Sequence, residues 1–348
     1  MSRQFVALRG LAILLVLLHH SIVFGTSYLL ELGYPRIEGV GHWILLVLKA
    51  LGSSAVPTFL FISGGFVAYA TRGNPARFTW KAVRTTLNRI LWPYLLWSLV
   101  SYAVVYVLHN ERSSLPIILK NLAIGYPYHF IPLLAFYYLA APVLVASARR
   151  WGWVVLTIIA LIQLTLLNLV SPGILGFVFP GWVRTIVPRY YNAVFAPWGI
   201  YFPLGVVCGL NANGVVSWAR RFRWLLLTTM LALFLTHVLS AASVLHFSLS
   251  GHIWPLVFVL VSLLIDRNWI PRVRTFEQIG KGSYGLYLIH LIVLLLALPA
   301  VHFIAPWLLE HPVLFYPTLF LLAMQIPLLL MRAGRSLLPG RACRYVFG

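Results

Sequence analysis

Arg9 and His20 stand eleven residues apart inside one nearly unbroken apolar run, residues 3–24. Eleven residues is close to three whole helical turns, so both side chains share one face, about 16 Å apart along the axis. A cation and a titratable imidazole on one stripe of a membrane helix are costly to place there, and the default reading is a functional site. Two plainer roles compete: Arg9 lies near the end of the run and can snorkel to the interface, and His20 can simply bond a neighbouring helix. His19 falls about 80° off the Arg9 stripe and reads as packing.

The elements that position the pair are membrane helices. The 348-residue chain is 61% hydrophobic and 9% charged, against the roughly 25% charged residues of ordinary globular domains. Its mean hydropathy is +0.90. Apolar stretches of about 20 residues recur and predict an all-helical membrane protein. Ten spans are expected, near residues 5–24, 42–70, 90–108, 129–147, 151–170, 196–210, 224–245, 253–265, 285–302 and 313–331. The second is long enough to bend or break around Gly52 and Pro57, and the sixth and eighth are short.

Charge gives the expected orientation. With the N-terminus inside, 20 of the 26 Lys and Arg residues fall on one side of this frame. Arg36, Arg112, Lys120, Arg184 and Arg189 fall outside, and Lys49 lies within a span, where it either lines a cavity or snorkels. This bias places both termini in the cytoplasm and accounts for most of the formal charge of +20 without nucleic acid as a partner. The first apolar run lacks a convincing small-residue cleavage site and is read as a retained span rather than a signal peptide. Cys208, in a span, and Cys343, in the tail, support neither a disulfide framework nor a metal site. Residues 1–348 read as a single membrane domain with no soluble domain.

The stretch VALRGLAILLVLLHH (residues 6–20) resembles the start of the membrane-bound acyltransferase-3 family, in which an arginine, ten residues and a histidine open the first span. Arg9 and His20 match that spacing. FLFISGGFVAY (59–69) resembles the family's serine-glycine-phenylalanine element, with one extra glycine here. WKAVRTTLNRILWPYLLWS (80–98) resembles its basic loop leading into the third span. HFIPLLAFYYLAAPVL (129–144), YFPLGVVCGL (201–210) and GKGSYGLYLIHLIV (280–293) resemble three later segments. No single element is specific, but their order on this frame is.

The resemblance implies an O-acyltransferase that moves an acetyl or other short acyl group from cytoplasmic acetyl-CoA, a co-substrate, to a hydroxyl of an exopolysaccharide or envelope saccharide. No metal is implied. Arg9 would hold the phosphate end or entry of the donor, and His20 would be the general base on the acceptor hydroxyl. Ser63, the amides of Gly64 and Gly65, or a nearby cation would stabilise the oxyanion; the same serine and glycines equally suit close helix packing. Lys81 and Arg84 resemble the family's paired basic residues three apart; three before Arg89 the expected partner is Thr86. All three basic residues are candidate CoA contacts, though topology alone would also place them there. Tyr287 and His290, on one helix face, are candidate substrate contacts or packing residues. The expected partners are acyl-CoA, a lipid-linked or exported saccharide and the lipid bilayer of the cell inner membrane. The rival readings are a transporter or flippase for a glycan or lipid-linked intermediate, and an acyltransferase-like binding subunit without chemistry. No inverted repeat supports the transporter.

Overall fold

The computed structural model describes residues 2–71, 80–110, 114–186 and 195–348, and their regular structure is helical. At the centre is α1 (Ser2–Glu31), about 45 Å long. It is apolar on nearly every face, as a helix surrounded by others must be. Phe5, Leu8, Ile13, Val16 and Leu17 are all buried. Around it pack α2 (Gly39–Gly52), α3 (Ala55–Thr71), α12 (Val273–Lys281), α13 (Ser283–Ile304) and α14 (Pro312–Leu337).

Among the described residues, seven helices are long and apolar enough to cross a membrane, or eight if one bent pair is a single span. The expected ten relate to these simply. Five correspond one to one, and the second is α2 and α3 taken together. The fourth and fifth are the two halves of α6 (Phe130–Val170), separated by a kink at Trp151, which leaves helical geometry at φ −133° and ψ 37°. The sixth is the bent element, in which α8 (Tyr201–Leu210) turns by 101° into α9 (Ala212–Arg221). The eighth is the short α11 (Ser250–Ser262), between α10 (Arg223–Ala241) and α12.

The second expected span breaks between α2 and α3. Ser53 and Ser54 turn their hydroxyls back onto the carbonyls of Ala50 (2.8 Å) and Leu51 (2.7 Å), satisfying groups the helix end would strand. Pro57 is not the breaker. It sits in the first turn of α3, where its missing N–H costs nothing. α4 (Trp80–His109), α5 (Leu115–Ile124), α7 (Gly181–Ile186) and α15 (Gly340–Phe347) complete the described helices.

Two glycine contacts bring backbones together. A Cβ at Gly64 would strike the carbonyl of Phe202, and one at Gly205 that of Phe61, so α3 and α8 cross in direct backbone contact. On the other side of the bundle, a Cβ at Gly10 would strike the carbonyl of Phe276, and one at Gly280 that of Val6. Gly10 follows Arg9, and Gly280 lies just before α13. This contact therefore sets the register of α13 along α1. Gly280→Val is expected to destabilise the fold by about 1–3 kcal/mol through overpacking, seen as a lower thermal midpoint in detergent. Gly214→Val, where a side chain would meet open space, should leave the midpoint unchanged.

Candidate functional site

α1 and α13 run side by side in the same sense. Tyr284 is an electrostatic neighbour of Arg9, His290 meets His20, and the His302 ring lies 6.3 Å from that of Tyr28. The polar residues of α13 fall on one face, at 284, 287 and 290, because three-residue steps return to the same side of a helix.

The central contact is between two imidazoles. His20 Nδ1 lies 2.7 Å from His290 Nε2, and the rings are within 8° of parallel with centroids 5.0 Å apart. The other nitrogen of His290, Nδ1, lies 2.6 Å from the carbonyl oxygen of Tyr287 and 3.2 Å from that of Leu286. A carbonyl only accepts, so His290 Nδ1 carries a proton and donates it. With both rings neutral, His290 Nε2 then holds a lone pair and accepts from His20 Nδ1–H. The remaining nitrogen of His20, Nε2, is left with its lone pair free. Backbone geometry on α13 thus fixes the tautomer of a histidine on α1, the role that a carboxylate often fills.

Access separates the two rings. His290 is fully buried, whereas His20 keeps some accessible surface. His290 and Tyr287, expected as substrate contacts, therefore stand behind His20 and offer a ligand almost nothing. Tyr287 is packed edge-on to Phe130, with centroids 4.5 Å apart. Among the described residues, no carboxylate bonds to His20; its ring neighbours are His19, Phe24 and His290.

Arg9 lies three turns away from His20 along α1. Its guanidinium carbon lies 6.0 Å from the centroid of Phe59, and Tyr138 and Tyr284 are its ionisable neighbours. Its Nε is buried without a hydrogen-bond partner, and no ion pair to it forms among the described residues. Phe59 stacks at 6.2 Å on Phe130, which packs on Tyr287, so an aromatic wall joins the arginine to the histidines. An arginine inside a helical bundle without an acid is a site for an anion that the chain does not supply.

Ser63 lies at the phenol of Tyr138, and so at the Arg9 end rather than beside His20. Gly64 and Gly65 are in mid-helix, where their amides are spent on α3 itself; Gly64 serves the crossing with α8. The amides are therefore no oxyanion hole. Lys81, Arg84 and Arg89 are exposed on the first turns of α4. That segment is tied to the Arg9 end, since Tyr284 donates to the carbonyl of Ile90 at 2.5 Å. Sequence reasoning did not single out a cleft of about 410 Å³ lined by Arg3, Val6, Arg274, Glu277, Gln278 and Lys281, on the flank where α12 meets α1. The signal was available in the strongly amphipathic, basic α12. Among the described residues, no three His, Cys, Asp or Glu side chains gather as a metal site would need.

A family model described as an acyltransferase domain matches residues 4–332. No curated protein and no solved structure matches.

If Arg9 has no partner within the protein, Arg9→Leu should hold or raise the thermal midpoint of the detergent-solubilised protein, because an uncompensated cation gives way to a side chain suited to the bundle. A fall of several degrees would mean that the guanidinium is satisfied by a protein group.

Proposed function

Because this chain belongs to the membrane-bound acyltransferase-3 family, we propose that its reaction is O-acylation, taking an acetyl or other short acyl group from cytoplasmic acetyl-CoA to a hydroxyl of an exopolysaccharide or envelope saccharide. The chain is a multi-pass membrane acyltransferase. The positive-charge bias favours the cell inner membrane with both termini in the cytoplasm.

The observation that carries the mechanism is the bond from His20 Nδ1 to His290 Nε2. It leaves His20 Nε2 as the free base of the pair. In the proposed reaction, Nε2 takes the proton of the acceptor hydroxyl as that oxygen attacks the thioester carbon. The new C–O bond forms, the C–S bond breaks, and the proton passes from His20 to the departing thiolate. His290 is a positioning residue: its Nε2 receives the Nδ1–H of His20, and this bond strengthens while His20 is cationic.

Arg9 suits the donor. Its unpartnered position supports contact with a phosphate or with the oxyanion of the thioester, with Tyr138 and Ser63 as further donors. Lys81, Arg84 and Arg89, exposed at the start of α4, suit first capture of the polyanionic end of CoA.

The test is base-labile acyl ester on the host's surface glycan, measured in a deletion strain carrying each variant at equal membrane level. His20→Ala should abolish the ester. His290→Leu should lower kcat by about 10²–10⁴-fold with little change in KM, the range expected for losing an oriented acid–base group. His290→Gln, whose side-chain oxygen can still accept from Nδ1–H, should recover part of that loss. Ester unchanged in His20→Ala would overturn the assignment, and ester retained with glycan held inside the cell would favour transport.

A further inference from the structure

A second space, its wall mostly apolar with a few polar side chains set in it, lies beyond the histidine pair, toward the end of α1 opposite Arg9. It is a cavity of about 300 Å³ between α1, α2 and α14. α2 turns one face to it: His42, Leu45, Leu46 and Lys49 follow helical spacing and line it, while Val40, Trp43 and Ile44 are exposed on the bundle's outer surface. Thr26 and Ser27 come from α1 and Tyr316 from α14, and the Thr26 and Tyr316 hydroxyls bond each other at 2.9 Å. Arg36, on the connection from α1 to α2, completes the lining. No carboxylate is among the lining residues.

Lys49 sets the depth. Its carbonyl accepts the Nδ1–H of His19 at 3.1 Å, and the His19 ring lies 5.7 Å from that of His20. The lysine's backbone is thus level with the catalytic pair, and Ile22 and Val23, on the next turn of α1, form the cavity wall. Exposed Lys49 and Arg36 line this open cavity with no carboxylate among the lining residues, which suits an anion that arrives from outside. Three hydroxyl side chains beside them suit a ligand rich in hydroxyls.

We propose that this cavity binds the acyl acceptor, and that the acceptor is an anionic saccharide whose carboxylate or phosphate is held by Lys49 and Arg36 while its hydroxyl reaches His20. The inference rests on the acyltransferase reading above and names its substrate class. The donor then approaches His20 from the Arg9 end and the acceptor from the Lys49 end, so the two substrates share no path. The histidine pair between them is where acyl transfer crosses from one space to the other.

The experiment uses the full protein in its native membranes with radiolabelled acetyl-CoA. The acceptor probe is the host's surface glycan stripped of ester, used as such, after carboxyl reduction and after phosphatase treatment. Lys49→Gln and Arg36→Gln should each raise the acceptor KM by roughly tenfold or more, with the effect on the acceptor rather than on the KM for acetyl-CoA. Lys49→Arg, which keeps the charge, should restore most of the acceptor affinity and controls for folding. The difference between variants and wild type should vanish on whichever treated glycan has lost the anion, naming it as carboxylate or phosphate. Equal KM values for wild type and both variants on untreated glycan would overturn the proposal, as would undiminished affinity of wild type for glycan after both treatments. If wild type neither transfers nor hydrolyses acetyl-CoA, the acyltransferase reading itself fails, and that outcome is distinct from a failure of the cavity.

Discussion

The hydrogen bond between His20 and His290 is the constraint on which the site depends. It joins the first long helix to one more than 250 residues later, and it works only if α1 and α13 keep one register. That register is set three turns away by Gly10 and Gly280, whose backbones touch. From there the geometry follows in order. Tyr284 falls beside Arg9, Tyr287 packs on Phe130, and His290 arrives at His20 with its own Nδ1 already committed to helix carbonyls. The carbonyls of α13 thus determine which nitrogen of His20 is basic, with no acidic residue involved. This suits a membrane interior, where a buried carboxylate would need compensation of its own.

Polar groups without acidic partners among the described residues stand on either side of that bond. Arg9 lacks a partner at Nε and an acid to pair with, and Lys49 shares its cavity with no carboxylate. An unpaired guanidinium inside a bundle costs stability, which a bound anion would offset. In the proposed reaction, the positions of Arg9 and Lys49 on either side of the histidine pair provide two substrate spaces with one chemical step between them. The long aromatic wall of Phe59, Phe130 and Tyr287 fills the bundle around that step without adding charge.

Much of this was legible in the chain. The eleven-residue spacing of Arg9 and His20 needs only helix geometry to put them on one stripe, and apolar run length predicts the helices. The break near Gly52 was legible too, from a run too long for one span with Gly52 and Pro57 inside it, although the turn itself is made by Ser53 and Ser54. The partner of His20 was not. Which of the ten other histidines meets it depends on how helices far apart in sequence pack, and periodicity carries no such information. His290 was therefore read as either a substrate contact or a packing residue, and the tight packing that buries it turns it toward another imidazole. Ser63 shows the same gap: its sequence neighbourhood reads as one element, but Gly64 makes a helix crossing while Ser63 meets Tyr138. The boundary between the fourth and fifth spans was legible as well, because Arg149 and Arg150 lead into Trp151, where α6 kinks.

The most direct measurement is nitrogen NMR of isotope-labelled histidine in the bilayer-reconstituted protein at mildly alkaline pH, with His20 assigned by its loss in His20→Gln. The account predicts that neutral His20 is protonated at Nδ1, bare at Nε2, and coupled through its hydrogen bond to Nε2 of His290. A His20 protonated at Nε2, or one without coupling to His290, would contradict it.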